Sequence, residues 1–490
     1  MAGFAVWHWV AGTRSANVLS SARSSEFSGE QALKTTSTPS PQPWTNGEVL
    51  RLKRSLDDAF APAIGGADKW SMAVLSVDGI TIYDNRAYHA TTPASVQKLI
   101  VAATALDVLG PQYRFHTILA AQQAIDQDGV VAGNLWLVGS GDPSFRSTDL
   151  EAGVGTLARA GLRRVSGSVA VDANAMHGPE LNPHWEAGDA GEDYAAPISA
   201  VSLDGDTVEF DVTGTTPGEA ADVRVVPESD AVGVTGEIRT ASAGSDSSVI
   251  IAPQQAPNTF LLSGSIGAGQ TEKDWLPVRL VPQYAGAVLA RLLSDRSITV
   301  GNQPIVARAP LESIVLWDHR SAPLRSLEQH MLFFSDNHYA EQLLRAVGTE
   351  RTGVSTDASG IATELRFLSE RGIPTPELHL NDGSGLAPDN RIAAITLARL
   401  LSDAESRGGQ TSLYLLLPLG GRQGTVKEYD FIDALGRVRA KTGHIGGVSS
   451  LAGYVNTLHH GRVAFAFSIN GSPGDPDSAI VRAVNRLADF

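Results

Sequence analysis

Three short groups of residues carry side chains suited to acyl-transfer chemistry. Ser95-Val96-Gln97-Lys98 sets a hydroxyl and an ammonium three residues apart, a spacing that places both on one face of a helix. A serine hydroxyl is a weak nucleophile and needs a base within hydrogen-bond reach. Lysine can be that base only if its pKa falls, which an apolar wall and nearby cations bring about by disfavouring the charged form. Leu99, Ile100 and Val101 supply such a wall directly after Lys98. N–H groups at the start of a helix also point toward the serine, as an oxyanion hole requires. The plain alternative is a capping serine beside a surface lysine. No other lysine in the chain has a serine at this offset.

Ser335-Asp336-Asn337 offers a hydroxyl, a carboxylate and an amide in a tight turn. Ser-x-Asn alone is unspecific: it recurs at Ser15–Asn17 and Ser468–Asn470, and polar turns between helices favour these residues anyway. Lys441-Thr442-Gly443 precedes Gly446-Gly447 and a strand. A glycine there lets a substrate backbone approach the strand edge, and a lysine with a hydroxyl can bind a carboxylate. The alternative is a loop lysine before an edge strand.

The elements that must position these groups follow from periodicity. A helix is predicted from Asn46 to Ala61, then strands from Trp70 to Val77 and from Ile80 to Tyr83 across a hairpin signal at Asp78-Gly79. Ser95 opens an apolar helical stretch, Val96 to Leu109, that stops at Gly110-Pro111. From about 113 to 320 the texture changes to short β-like runs (134–138, 166–171, 207–212, 249–251, 260–263), with one helix at 284–293. Helical periodicity returns near Pro323, breaks at 334–337 and resumes. The chain closes with strands at 450–455 and 463–469 and a helix at 479–490. The predicted fold is α/β (α+β), with a domain at 46–112 plus 322–490 split by a β-rich insertion at 113–321. No internal repeat is visible.

Composition narrows the function further. Apolar residues at 42% and charged residues at 19% are globular values. A net charge of −15 speaks against nucleic-acid partners. With no cysteine, a thiolate nucleophile, thiolate zinc and iron–sulfur clusters are excluded. No His-x-x-x-His, Gly-x-x-x-x-Gly-Lys or Gly-x-Ser-x-Gly pattern exists. Residues 1–45 read as a flexible segment, rich in Ser, Thr, Gln and Pro after an apolar stretch from Phe4 to Val10 that is too short to span a bilayer. Two readings stand for it: an ordinary N-terminus, or the remnant of a signal or anchor giving peripheral or anchored membrane association.

Each motif is ambiguous alone; in this order they form the set of penicillin-binding proteins and class A β-lactamases. Two of the chain's seven lysines fall in it. Further phrases are 139–144 (GSGDPS), 194–199 (YAAPIS), 382–386 (DGSGL) with Asn390-Arg391, and 420–425 (GGRQGT). With these, the chain from about residue 46 onward resembles the D-alanyl-D-alanine carboxypeptidase/endopeptidase family of class C, type-4 low-molecular-mass penicillin-binding proteins. The insertion falls between the first two motifs, as in that family. The resemblance implies a transpeptidase/β-lactamase-like domain holding two nested inserted domains. It implies an extracytoplasmic serine carboxypeptidase that cleaves the D-Ala-D-Ala bond of peptidoglycan stem peptides, with cross-link endopeptidase activity in some members. β-Lactam antibiotics would acylate it, and no metal or organic cofactor is called for.

Carried over by the resemblance, Ser95 is the nucleophile and Lys98 the acylation base. Ser335 relays protons to the leaving group, and Asn337 holds the substrate amide and Lys98. Lys441 and Thr442, with Gly443, bind the substrate carboxylate. The N–H groups of Ser95 and His444 form the oxyanion hole. His444 departs from the family, where Thr or Ser usually follows Lys-Thr-Gly; it could add a pH-sensitive contact.

Three other readings need weighing. Glu377-Leu-His-Leu-Asn381 fits the pattern that carries the deacylating glutamate of class A β-lactamases, but leads straight into Asp382-Gly383 and alternates like a strand. Glu186, Asp189, Glu192 and Asp193 lie between Trp185 and Tyr194, either as a solvated acidic loop or as a site for the free amine on the stem peptide's third residue. A catalytically dead cell-wall-binding scaffold is opposed by the intact set of five polar residues.

Overall fold

The computed structural model describes residues 41–490. The apolar stretch 4–10 and most of the expected tether lie outside them. Among the described residues, no helix is long and apolar enough to cross a membrane.

The two ends of the chain build one antiparallel sheet of five strands, in the order Val438–Ile445, Val448–Asn456, Arg462–Asn470, Lys69–Ser76 and Thr81–Asn85. Register is fixed by burial. Ala73 pairs with Ala466 and Val74 with Phe465, and these residues alternate between the two apolar layers on either side of the sheet. The helices Asn46–Ile64 and Pro476–Ala488 cover one face through Leu52, Leu56, Phe60, Ile480 and Val484. The first starts at a Thr45–Glu48 capping box. On the other face lies Lys98–Val108, apolar on every side and therefore central. Leu324–Phe334, Asn337–Thr352 and Ala394–Arg407 pack around it.

Between these ends, His116–Ala121, Leu135–Gly139, Arg164–Asp172, Thr299–Val306 and Ile314–Arg320 run in a mixed sheet, with Val130–Val131 beside Arg164 and Val165. The strands Thr207–Thr213, Asp222–Val226 and Thr271–Pro277 form a second sheet. Gly233–Gly236, Ile250–Pro253 and Thr259–Ser263 form a third. A continuous apolar core joins them, from Leu119 through Phe210 and Phe260 to Leu289.

The expected strands of this region appear within about two residues of their predicted bounds. Two expectations fail. A second helix, Ser147–Arg159, accompanies Val281–Asp295. Gly153 and Gly155 hide it in the sequence. Gly153 has a packing reason, since a Cβ there would lie 2.9 Å from the Trp317 ring. The second concerns Lys441-Thr442-Gly443, expected to precede a strand, which lies within the edge strand Val438–Ile445 itself. Gly446 and Gly447, both at positive φ, then make a two-residue hairpin into Val448–Asn456.

Candidate active site

Ser95 sits on a turn of 3-10 helix, Ala94–Gln97, that runs directly into Lys98–Val108. It therefore stands one turn ahead of the α-helix expected to begin with it. The turn is tightly held. Ala94 has a positive φ of 51°. Gly385 leaves no room for a side chain, because a Cβ would run into the Ala94 carbonyl.

The three-residue spacing works as expected. Lys98 Nζ donates to Ser95 Oγ at 2.9 Å, to Asn337 Oδ1 at 2.6 Å and to the Ser384 carbonyl at 2.7 Å. Lys98 is fully buried. Burial pushes its pKa down to about 8, against the pull of the Asp382, Glu341 and Asp336 charges.

Ser335 ends the helix Leu324–Phe334 in the left-handed region at φ 60°. Asp336 caps the next helix by accepting from Tyr339 N at 3.1 Å. Asn337 is that helix's first residue; its amide nitrogen donates to the Tyr194 carbonyl at 2.8 Å. Lys441 Nζ donates to Ser335 Oγ at 2.8 Å and to the Thr442 carbonyl at 2.7 Å. It too is fully buried, and burial together with the Lys98 charge pushes its pKa well down.

Gly443 brings the edge strand against the Ser95 turn. A Cβ at this position would lie 2.7 Å from the Pro93 carbonyl and 3.0 Å from Ser95 N. All three motifs thus meet: Lys98 joins Ser95 to Asn337, Lys441 reaches Ser335, and Gly443 abuts Ser95.

The remaining sequence candidates divide. Thr442 Oγ1 donates to Thr425 Oγ1 at 2.7 Å, which gives the phrase 420–425 a place beside the site. The His444 side chain turns to the C-terminal helix, where Nε2 lies 2.9 Å from Asp477 Oδ1 and 3.2 Å from Tyr429 Oη. Glu377 is side-chain exposed, accepts from Ala90 N at 3.1 Å and faces His89. Its positive φ of 53° belongs to a turn, and strand-like pairing begins only at His379, which bridges Arg391. The acidic stretch does border the site. Asp189 accepts from Tyr194 Oη at 3.0 Å, and the Tyr194 carbonyl holds Asn337. Burial, foremost, holds Asp193 above the usual carboxylate range.

Sequence reasoning assigned no role to the loop Asp382–Leu386. Asp382 is its hub, accepting from Gly385 N, Ala387 N, Asn390 Nδ2, Gln97 Nε2 and Trp185 Nε1 at 2.7–3.0 Å. Ser384 contributes a main-chain carbonyl to Lys98, which no side-chain motif announces. Among the described residues, no cluster of three or more His, Asp or Glu side chains is arranged to hold a metal ion.

A five-stranded sheet backed by a buried helix that leads with Ser-x-x-Lys, faced by Ser-x-Asn and an edge-strand Lys-Thr-Gly, defines the class of penicillin-recognising serine enzymes. The chain belongs to the D-Ala-D-Ala carboxypeptidase 3 (S13) family, whose model matches residues 52–489. It is 32% identical over 464 residues to a D-alanyl-D-alanine carboxypeptidase of Actinomadura sp. (strain R39), covering 91% of this chain and 86% of that one. It is 27% identical over 404 residues to the D-alanyl-D-alanine carboxypeptidase DacB of Haemophilus influenzae, covering 80% and 83%. The fold matches the crystal structure of penicillin binding protein 4 from that organism with a TM-score of 0.77, at 24% identity over 89% of this chain and 99% of the other. The family, fold class and serine carboxypeptidase class expected from the motifs are all met.

Proposed function

We propose that the chain cleaves the terminal D-Ala-D-Ala bond of peptidoglycan stem peptides through an acyl-enzyme on Ser95. The observation that carries this reading is the Lys98 ammonium, fully buried and 2.9 Å from Ser95 Oγ. Lys98 in its neutral form takes the Ser95 proton as Oγ attacks the carbonyl of the penultimate D-Ala. The N–H groups of Ser95 and His444 hold the resulting oxyanion. Ser335, bonded to Lys441, relays the proton held by Lys98 to the leaving nitrogen and keeps its own hydroxyl, and D-Ala departs. Water then cleaves the ester and Ser95 regains its proton. Asn337 holds the substrate amide, and Lys441 and Thr442, with Gly443 beside them, receive the terminal carboxylate. A β-lactam follows the same first step and stays attached. When the leaving amine belongs to a neighbouring strand, the same steps open a cross-link.

Residues 46–112 and 322–490 form the catalytic domain in this reading, and 113–321 the inserted β-rich region with two nested domains. Its substrate places the protein outside the cytoplasm, in the cell envelope. In this reading the acidic stretch, with Asp189 held by Tyr194 and Asp193 near Asp336, receives a free amine on the stem peptide.

Release of D-alanine from Nα,Nε-diacetyl-L-Lys-D-Ala-D-Ala tests this reading, alongside the same peptide with its ε-amine free. One D-alanine per peptide from the wild type and none from Ser95→Ala is the expected result. Equal release by both proteins, or none by either, contradicts it. A preference for the free amine that disappears in Asp189→Asn supports the amine site.

A further inference from the structure

The following inference rests on Lys98 acting as the base. Two of the three oxygens around Lys98 Nζ, Ser95 Oγ and Asn337 Oδ1, belong to the motifs. The third is the main-chain carbonyl of Ser384, which something else must hold in place. Asp382 braces its own loop from within. Glu341 reaches in from outside: its carboxylate accepts from Gly383 N at 3.1 Å and from Ser384 N at 2.8 Å. Glu341 lies four residues after Asn337 on the same helix, so one helix face supports Lys98 twice, directly and through the loop. Gly383 rests against that helix, where a Cβ would lie 2.9 Å from the Ala340 carbonyl and 3.1 Å from Leu344 Cβ.

An acid at this place is costly. Glu341 is 1% exposed, and burial with the Asp382 and Asp357 charges pushes its pKa up to about 8. Glu364 lies nearby, fully buried, with neither carboxyl oxygen hydrogen-bonded. An apolar side chain would fill such a space more cheaply, but it could not hold two N–H groups of the loop.

We propose that Glu341 is a positioning residue: it fixes the Ser384 carbonyl on Lys98 Nζ and thereby sets the proton affinity of the base. The Asp382, Glu341 and Asp336 charges favour the Lys98 ammonium, as do the Ser384 and Asn337 oxygens. Lys441 opposes it. Neutralising Glu341 and loosening the Ser384 carbonyl act in one direction, toward weaker proton binding by Lys98.

The test is a pH titration of the full chain labelled with [13Cε]lysine and followed by NMR. Lys98 is assigned among the seven lysines by Lys98→Arg. Wild type, Glu341→Gln and Gly383→Ala are compared, with melting temperature and circular dichroism as folding controls. In Glu341→Gln the Lys98 midpoint falls by about half a unit or more, and the acid limb of benzylpenicillin acylation moves down with it. Gly383→Ala keeps every charge but pushes the loop off the helix, and gives a smaller fall. Lys98 midpoints within about 0.2 units of wild type in both folded variants overturn the proposal. Where Glu341→Gln does not fold, Gly383→Ala decides: a lowered midpoint supports the role and an unchanged one overturns it. The NMR midpoint requires no catalysis. A wild type that takes up no penicillin therefore counts against the proposed function, while the role of Glu341 is still decided.

Discussion

At the residue scale the proposed chemistry turns on two buried lysines with different surroundings. Lys98 has three oxygens around its ammonium and three carboxylates nearby, yet burial still brings it to about pH 8. Lys441 is lowered by burial and by Lys98 itself. The sign for activity follows directly. The ammonium present below pH 8 cannot take the Ser95 proton, and the free amine above it can, so acylation by benzylpenicillin should rise with pH through about 8. A rate that is flat from pH 6 to pH 9.5 would contradict this. The residues of the three motifs were legible in the sequence because their types and order are specific. Glu341 and the Ser384 carbonyl were not: one is an ordinary glutamate on a helix, and the other is a backbone atom without a side-chain signature.

At the element scale, a few exact fits hold these residues together. Gly443 lets the edge strand touch the Ser95 turn, and Gly443→Ala would set a methyl 2.7 Å from the Pro93 carbonyl and 3.0 Å from Ser95 N. Acylation should fall about 100-fold from that displacement, while the sheet, paired elsewhere along its length, keeps its circular dichroism. A loss below threefold would show the contact to be dispensable. The helix Leu324–Phe334 carries a different strain. Glu328 is fully buried, with neither carboxyl oxygen hydrogen-bonded, and burial holds it well above the usual carboxylate range. The unfolded chain loses this proton near pH 4.5 and the folded chain keeps it, so folding stability falls as pH rises above that value. Glu328→Gln removes this slope. Its stability relative to wild type should grow between pH 5 and pH 8 by up to about 1.4 kcal/mol per pH unit, read from urea unfolding. A constant difference would contradict the assignment. Helices such as Asn46–Ile64 and Pro476–Ala488, with regular apolar spacing, were legible in the sequence, whereas Asp357–Glu370 and Ala394–Arg407 were not picked out. The Ser147–Arg159 helix was hidden by two glycines, and the edge strand by Lys-Thr-Gly, which reads as a loop until its partner strand is known.

At the scale of the whole molecule, the five-stranded sheet joins segments far apart in the chain, Lys69–Asn85 with Val438–Asn470, and so brings the Ser95 turn beside Gly443. The intervening region returns one short stretch to the site: Trp185 donates to Asp382 and the Tyr194 carbonyl holds Asn337. The sequence marked this stretch by its four carboxylates, but its contact with the site is long-range and carries no local signal. The β-lactamase reading loses ground at this scale, because Glu377 braces Ala90 and faces His89. The most direct test of a Ser95 acyl-enzyme is intact-protein mass spectrometry after mixing with benzylpenicillin, wild type beside Ser95→Ala, followed over hours. The expected result is a long-lived adduct of one penicillin on the wild type and none on Ser95→Ala. An adduct on both proteins, rapid hydrolysis of the drug without an adduct, or no reaction at all would contradict the account.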